Sequence, residues 1–122
     1  MPNKGKLYLI PSPIADESLD KIITPQVKSV LPEINHFLAE NIRTARRYLA
    51  SLKVYQNIEG VMFQTLDKDT QREDLEEMMN PLAAGFNVGV ISEAGCPGVA
   101  DPGSIAVLYA HQHNVQVVPL VG

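Results

Sequence analysis

Short apolar runs alternate with stretches of helical spacing from one end of the chain to the other. Lys6-Leu-Tyr-Leu-Ile10 reads as a buried strand, closed by the rigid exit Pro11-Ser-Pro13. A weak helix is expected over Ile22–Leu31, stopped by Pro32, and a second strand over Glu33–Ala39. Asn41 can cap a helix from Ile42 to Lys53, whose apolar residues Ile42, Ala45, Leu49 and Leu52 share one face while its arginines lie on others. Gly60–Leu66 reads as a third strand. Thr70-x-x-Glu73 has the form of a capping box before the stripe Leu75, Met78, Met79, Leu82, Ala83, which Pro81 should kink or divide and Gly85 can end. Asn87–Ile91 is the fourth strand. Asp101-Pro102 can open a helix reaching His113, with Asn114 taking a left-handed residue at its end, and Val115–Leu120 is the fifth strand. Strands alternating with helices predict an α/β fold of three layers, a five-stranded parallel sheet with helices on both faces.

Composition narrows the setting more than the fold. At 122 residues the chain is one domain with a modest core. Its 45 % hydrophobic and 20 % charged residues exclude a disordered tail, and a net charge of -4 excludes a global basic field for nucleic acid. Arg43, Arg46 and Arg47 still form a local basic patch. A single cysteine makes no internal disulfide, which points to a reducing, cytoplasmic setting. No apolar run approaches the roughly 18 residues of a membrane span, and no signal pattern opens the chain. Val115–Gly122 runs out as a strand entering a turn, from which a fragment lacking a second domain is expected.

In an open parallel sheet, ligands bind at the carboxyl ends of strands where connections diverge. Two unusual backbones stand at such ends: Pro11-Ser-Pro-Ile14 and the twelve-residue stretch Ser92–Gly103, SEAGCPGVADPG. The second is longer than an ordinary strand-to-helix connection. If the first and fourth strands are neighbours, these loops wall one crevice. Glycines there let the backbone approach a ligand closely, and prolines hold carbonyls and amides in place beforehand. Gly95, Gly98 and Gly103 do not spell G-x-G-x-x-G and no G-K-[ST] follows, so a phosphate cradle is disfavoured.

LYLIPSPI, then SEAGCPGVADPG and VVPLVG, resembles the tetrapyrrole methylase superfamily of S-adenosylmethionine-dependent methyltransferases. Within it the pattern is similar to the branch that methylates a ribose 2′-hydroxyl of small-subunit ribosomal RNA. Pro11–Ile14 matches that branch's proline-threonine-proline-isoleucine loop, with Ser12 for threonine. Ser92–Gly103 matches its long loop, with Glu93 for aspartate and Cys96 for threonine. Glu40-Asn-Ile-Arg43 is similar to its glutamate-aspartate-threonine-arginine, with Asn41 and Ile42 substituted, and Ala15-Asp16 stands where the family has glycine-asparagine.

The resemblance implies that residues 1–122 are the N-terminal donor-binding domain of a two-domain enzyme, with strands one and four adjacent and the fragment inactive alone. It also implies S-adenosyl-L-methionine as cofactor and RNA of the small ribosomal subunit as partner. The donor-pocket candidates are Pro11, Ser12, Pro13, Ser92, Glu93, Ala94, Gly95 and Asp101. Glu40 is the candidate catalytic carboxylate, since a ribose hydroxyl must lose a proton. Arg43 is the candidate substrate contact, through phosphate. Each has a plainer alternative: Asp101 a pure helix cap, Glu93 a solvated loop carboxylate, Glu40 and Arg43 a surface ion pair; Arg46 and Arg47 read as a solvated helix face, with RNA backbone contact the sharper alternative. Cys96 is read as a small loop residue, and His111 and His113 as favourable charge at a helix end rather than metal ligands. Two other functions stay open, a methylase of a tetrapyrrole or other small molecule and a non-catalytic α/β binding domain. No metal and no membrane partner are expected, and an apolar cleft face left bare predicts self-association as a homodimer, which light scattering would reveal.

Overall fold

The computed structural model describes residues 4–11, 25–55, 57–67, 69–92 and 103–120. Five strands, β1 (Leu7–Pro11), β2 (Ile34–Ala39), β3 (Met62–Thr65), β4 (Asn87–Ser92) and β5 (Val117–Pro119), form one sheet in the order β3-β2-β4-β1-β5. Every pairing is parallel. The helices are α1 (Pro25–Val30), α2 (Ile42–Ser51), α3 (Arg72–Ala83) and α4 (Gly103–Gln112). Among the described residues no helix is long and apolar enough to cross a membrane.

Alternation along the strands sorts the core into two layers. Tyr8, Ile10, Phe37, Ala39 and Ile91 face Val27 of α1 and Ala45, Tyr48 and Leu49 of α2. Leu7, Leu9, Leu38, Val88 and Val90 face Leu75, Met79 and Leu82 of α3 and Ala106 and Ala110 of α4. This is the three-layer α/β architecture expected from the sequence. Strict alternation would put Ile34 and Phe37 on opposite faces. An irregularity between Ile34 and His36 restores both to the α1–α2 side.

The element ends follow their caps. The Asn41 side chain accepts the Thr44 amide at 3.0 Å, as expected of an N-cap. Helix α2 stops at Ser51 rather than Lys53, because Lys53 itself takes the left-handed conformation (φ 57°). Gly85 (φ 95°) ends α3: its amide bonds the Leu82 carbonyl at 3.1 Å and the Phe86 amide bonds Pro81 at 2.9 Å, a Schellman closure. Pro81 lies in that last turn, and the helix runs through it undivided. Asn114 (φ 58°) ends α4 in the same way, and this draws the Val115 amide onto the Ala110 carbonyl and starts β5 later than the apolar run suggested. Gly60 belongs to a 3-10 turn, Ile58–Gly60, capped by Asn57, so β3 begins at Met62.

The capping box is a correction. The residue before α3 is Gln71, which makes no side-chain cap. The Thr70 hydroxyl instead accepts the Asp67 amide at 2.9 Å, and the Thr70 amide is taken by the Asp67 carbonyl at 3.1 Å. Both halves of the box are therefore committed to a turn with Asp67, which leaves Glu73 nothing to bond there.

Candidate functional site: the carboxyl edge of β4

The direction of the connections locates a crevice. From β1 the chain passes through α1 to β2, and from β2 through α2 to β3, on one face of the sheet. From β3 it passes through α3 to β4, and from β4 through α4 to β5, on the other. In the strand order the first two steps move one way and the last two move back, consistent with right-handed crossovers. Strand β4 therefore leaves on one face while both its neighbours, β1 and β2, leave on the opposite one. That is the topological switch point of the sheet.

The two loops singled out from sequence begin together there. Pro11 and Ser92, the last residues of β1 and β4, are paired partners in the ladder. The expected adjacency of strands one and four is thus present, with the loop starts on neighbouring strands. Ser12, Pro13, Glu93, Ala94, Gly95, Cys96 and Asp101 lie outside the described residues, as does the Asp101-Pro102 cap. On the other side of β4, Ala39 pairs with Ile91, so Glu40 leaves β2 beside the start of the long loop. Glu40 is exposed. Arg43, one residue into α2, is exposed as well, in the turn that Asn41 caps. The crevice thus has Pro11, Ser92 and Glu40 along one line, with Arg43 at its rim. Among the described residues the one ion pair is Arg72–Glu76 at 3.9 Å on α3, so Glu40 and Arg43 are not joined by a salt bridge.

Below the crevice the strands are tightly filled. A Cβ on Gly89 would lie 2.8 Å from Ile10 Cδ1 and 2.8 Å from Phe37 Cε1. The glycine lets β1, β4 and β2 press Ile10 and Phe37 together just under the ligand edge. Its only sequence signal was a glycine in the middle of an apolar strand. At the opposite end, the Asn87 side chain accepts the Lys6 amide at 2.9 Å and donates to the Glu33 carbonyl at 3.3 Å, tying the starts of three strands. Two phenols brace the α1–α2 layer. Tyr55 donates to the Leu31 carbonyl at 2.5 Å, with the Ile34 carbonyl at 3.0 Å, and burial pushes its pKa up. Burial pushes Tyr48 up to about 12, and Tyr8 is raised by burial and by Glu33. None of these phenols ionises near neutrality, so none is a base for the edge.

Sequence reading also missed what lies under the basic patch. The Arg46 guanidinium sits over the Phe63 ring, 5.1 Å from its centroid, and Phe63 stacks on buried Phe37 at 5.7 Å. Among the described residues no group of three His, Cys, Asp or Glu is arranged to hold a metal ion. A separate groove of about 390 Å³, lined by His36, Met62, Glu77 and Phe86 among others, opens between the β2–β3 edge and the end of α3. It lies away from the switch point.

With this geometry in hand, the chain can be set beside known proteins. No family model matches it. It is 30 % identical over 118 residues to the ribosomal RNA small subunit methyltransferase I of Buchnera aphidicola subsp. Acyrthosiphon pisum, covering 97 % of this chain and 39 % of that protein. It is 29 % identical over 119 residues to the protein of the same name from Leptospira biflexa, covering 98 % and 46 %. The chain thus spans less than half the length of these relatives. Among solved structures it is similar to the uroporphyrin-III C-methyl transferase of Thermus thermophilus complexed with S-adenyl homocysteine, with a TM-score of 0.66 and 24 % identity over 97 % of this chain and 48 % of that one. The resemblance drawn from the motifs is borne out in both respects: in sequence by the ribosomal RNA methyltransferases, and in fold by a tetrapyrrole methylase.

Proposed function

We propose that the chain is the donor-binding N-terminal part of an S-adenosylmethionine-dependent methyltransferase acting on a ribose 2′-hydroxyl of small-subunit ribosomal RNA in the cytoplasm. The observation that carries this reading is the pairing of Pro11 with Ser92 at the switch point, where the two loops resembling the family's donor loops start side by side. The crevice suits a donor recognised by backbone groups, because it lies at strand ends and the sequence of its two connections is rich in Gly and Pro without a phosphate-cradle motif. Residues Pro11, Ser12, Pro13, Ser92, Glu93, Ala94, Gly95 and Asp101 would hold the donor, which supplies an activated methyl group when bound. In this reading residues 1–122 form one wall of the pocket and a second domain the other.

The chain's own residues then have two tasks. The first is alignment, since holding the acceptor oxygen in line with an activated methyl supplies much of the rate. The second is proton removal. Glu40 is the exposed carboxylate beside the long loop, so it takes the proton from the 2′-hydroxyl, and Arg43 at the rim holds a neighbouring phosphate.

The test supplies the intact protein with methyl-labelled S-adenosylmethionine and small-subunit ribosomal RNA, free and in the subunit. Label should enter RNA and survive alkaline digestion as an uncleaved dinucleotide, since a 2′-O-methyl group blocks strand scission. No label in either RNA form would reject the reading, and label in a tetrapyrrole instead would replace it with the small-molecule alternative.

A further inference from the structure

Charge is segregated across the sheet. Helix α2 carries Arg43, Arg46 and Arg47 and no acidic residue, whereas α3 on the other face carries Glu73, Asp74, Glu76 and Glu77 against one arginine. In a chain of net charge -4, this makes one face locally basic. The three arginines stand at i, i+3 and i+4, so they lie on neighbouring positions of one helix face, opposite buried Ala45, Tyr48 and Leu49. All three are exposed, and none is within ion-pair distance of a described carboxylate.

Two features distinguish this face from an ordinary solvated one. Arg46 sits over the Phe63 ring, and Phe63 is anchored on the core through Phe37, so the guanidinium has an aromatic support on one side. The row also has a direction. It starts at Arg43, at the crevice rim, and runs about 5.4 Å per turn away from it along α2. A polyanion lying on the row is led to the carboxyl edge of β4.

We infer that Arg43, Arg46 and Arg47 form a phosphate-contacting rail that lays a single RNA strand across α2 and delivers it to the crevice. The inference rests on the methyltransferase reading for its choice of RNA over an acidic protein surface. Arginine suits the task because its planar fork binds phosphate oxygens bidentately and keeps its charge at any working pH. The aromatic support under Arg46 leaves its outer face free for a base or phosphate.

The test is the binding of a fluorescein-labelled 20-nucleotide single-stranded RNA, followed by anisotropy from 50 to 200 mM salt. Each phosphate contact on a single strand contributes about 0.7 to the slope of log affinity against log salt. Arg46→Gln with Arg47→Gln should make that slope shallower by about 1.4, and adding Arg43→Gln should raise the total to about 2. Lys28→Gln, an exposed cation on α1 rather than α2, should leave the slope unchanged. Circular dichroism of each variant verifies folding. Calorimetry with S-adenosylhomocysteine on the intact, unsubstituted protein, both pocket walls present, runs beside it. An unchanged slope in the arginine variants overturns the rail, and intact donor binding in the same series leaves the methyltransferase reading standing. Absent donor binding overturns that reading itself. If the variants lose self-association in the ultracentrifuge while RNA affinity holds, the face is a contact between copies, against the α3 acids, and the rail is rejected.

Discussion

Replacing Gly89 by alanine adds one methyl group at the tightest point beneath the crevice. The new Cβ would meet Ile10 Cδ1 at 2.8 Å and the Phe37 ring at 2.8 and 2.9 Å. The isoleucine contact is the end of a flexible side chain and can rotate away. Phe37 has less freedom, being 1 % exposed and held between Phe63, stacked at 5.7 Å, and Tyr55, edge-on at 6.3 Å. Overpacking of this kind costs about 1–3 kcal/mol. The loss of glycine's unfolded-state freedom offsets about 0.4–1 kcal/mol of it. A net destabilisation of about 1–2 kcal/mol follows, equivalent to a Tm lower by about 4–8 °C. The chain has no tryptophan, so urea unfolding is best followed by circular dichroism. Phe37→Leu in the same chain should relieve the clash, leaving the double variant more stable than the sum of the single effects by about 1 kcal/mol. A Gly89→Ala protein as stable as the parent, with additive behaviour in the pair, would refute the close approach of β1, β4 and β2 on which the crevice depends.

Two further outcomes can be checked on the same protein. The Tyr48 and Tyr55 phenols have raised pKa values, so the folded state keeps protons that the unfolded chain releases; their contribution to stability is full below pH 10 and is lost as pH climbs through about 12 for Tyr48 and higher still for Tyr55. A spectrophotometric titration at high pH should therefore show these two phenols ionising only as dichroism is lost, and ionisation of all four tyrosines near 10 in a folded chain would contradict it. Because Thr70 bonds Asp67 rather than forming a capping box, Thr70→Ala should cost about 1 kcal/mol in urea unfolding and Glu73→Gln less than about 0.5 kcal/mol; the reverse ranking would reinstate the box.

Local chemistry was legible where one residue type answers one backbone need. Asn41, Gly85 and Asn114 were read as helix termini from their side chains or their tolerance of positive φ, and all three serve so. The two-sided sheet followed from short apolar strands between helices. The crevice was legible in part, because proline and glycine concentrated at the ends of two strands, but only the strand order makes those ends neighbours. That order depends on contacts distant in sequence, such as Leu9 with Val90 and Ala39 with Ile91. Thr70 was misread because hydroxyl-to-backbone bonds can run toward either neighbour, and Asp67 competes successfully from the other side. The platform under Arg46 was invisible, since residues 46 and 63 meet only when β3 takes the edge beside β2.

The central claim is that the ligand edge lies at the carboxyl end of β4. Titrating the intact nitrogen-15-labelled protein with S-adenosylhomocysteine tests it most directly. The account predicts saturable shifts of the Ile10, Glu40, Asn41, Ile91 and Ser92 amides, while those of Met62 and Phe86, in the groove at the other end of the sheet, stay in place. Shifts centred on Met62 and Phe86, with the strand ends unmoved, would contradict it.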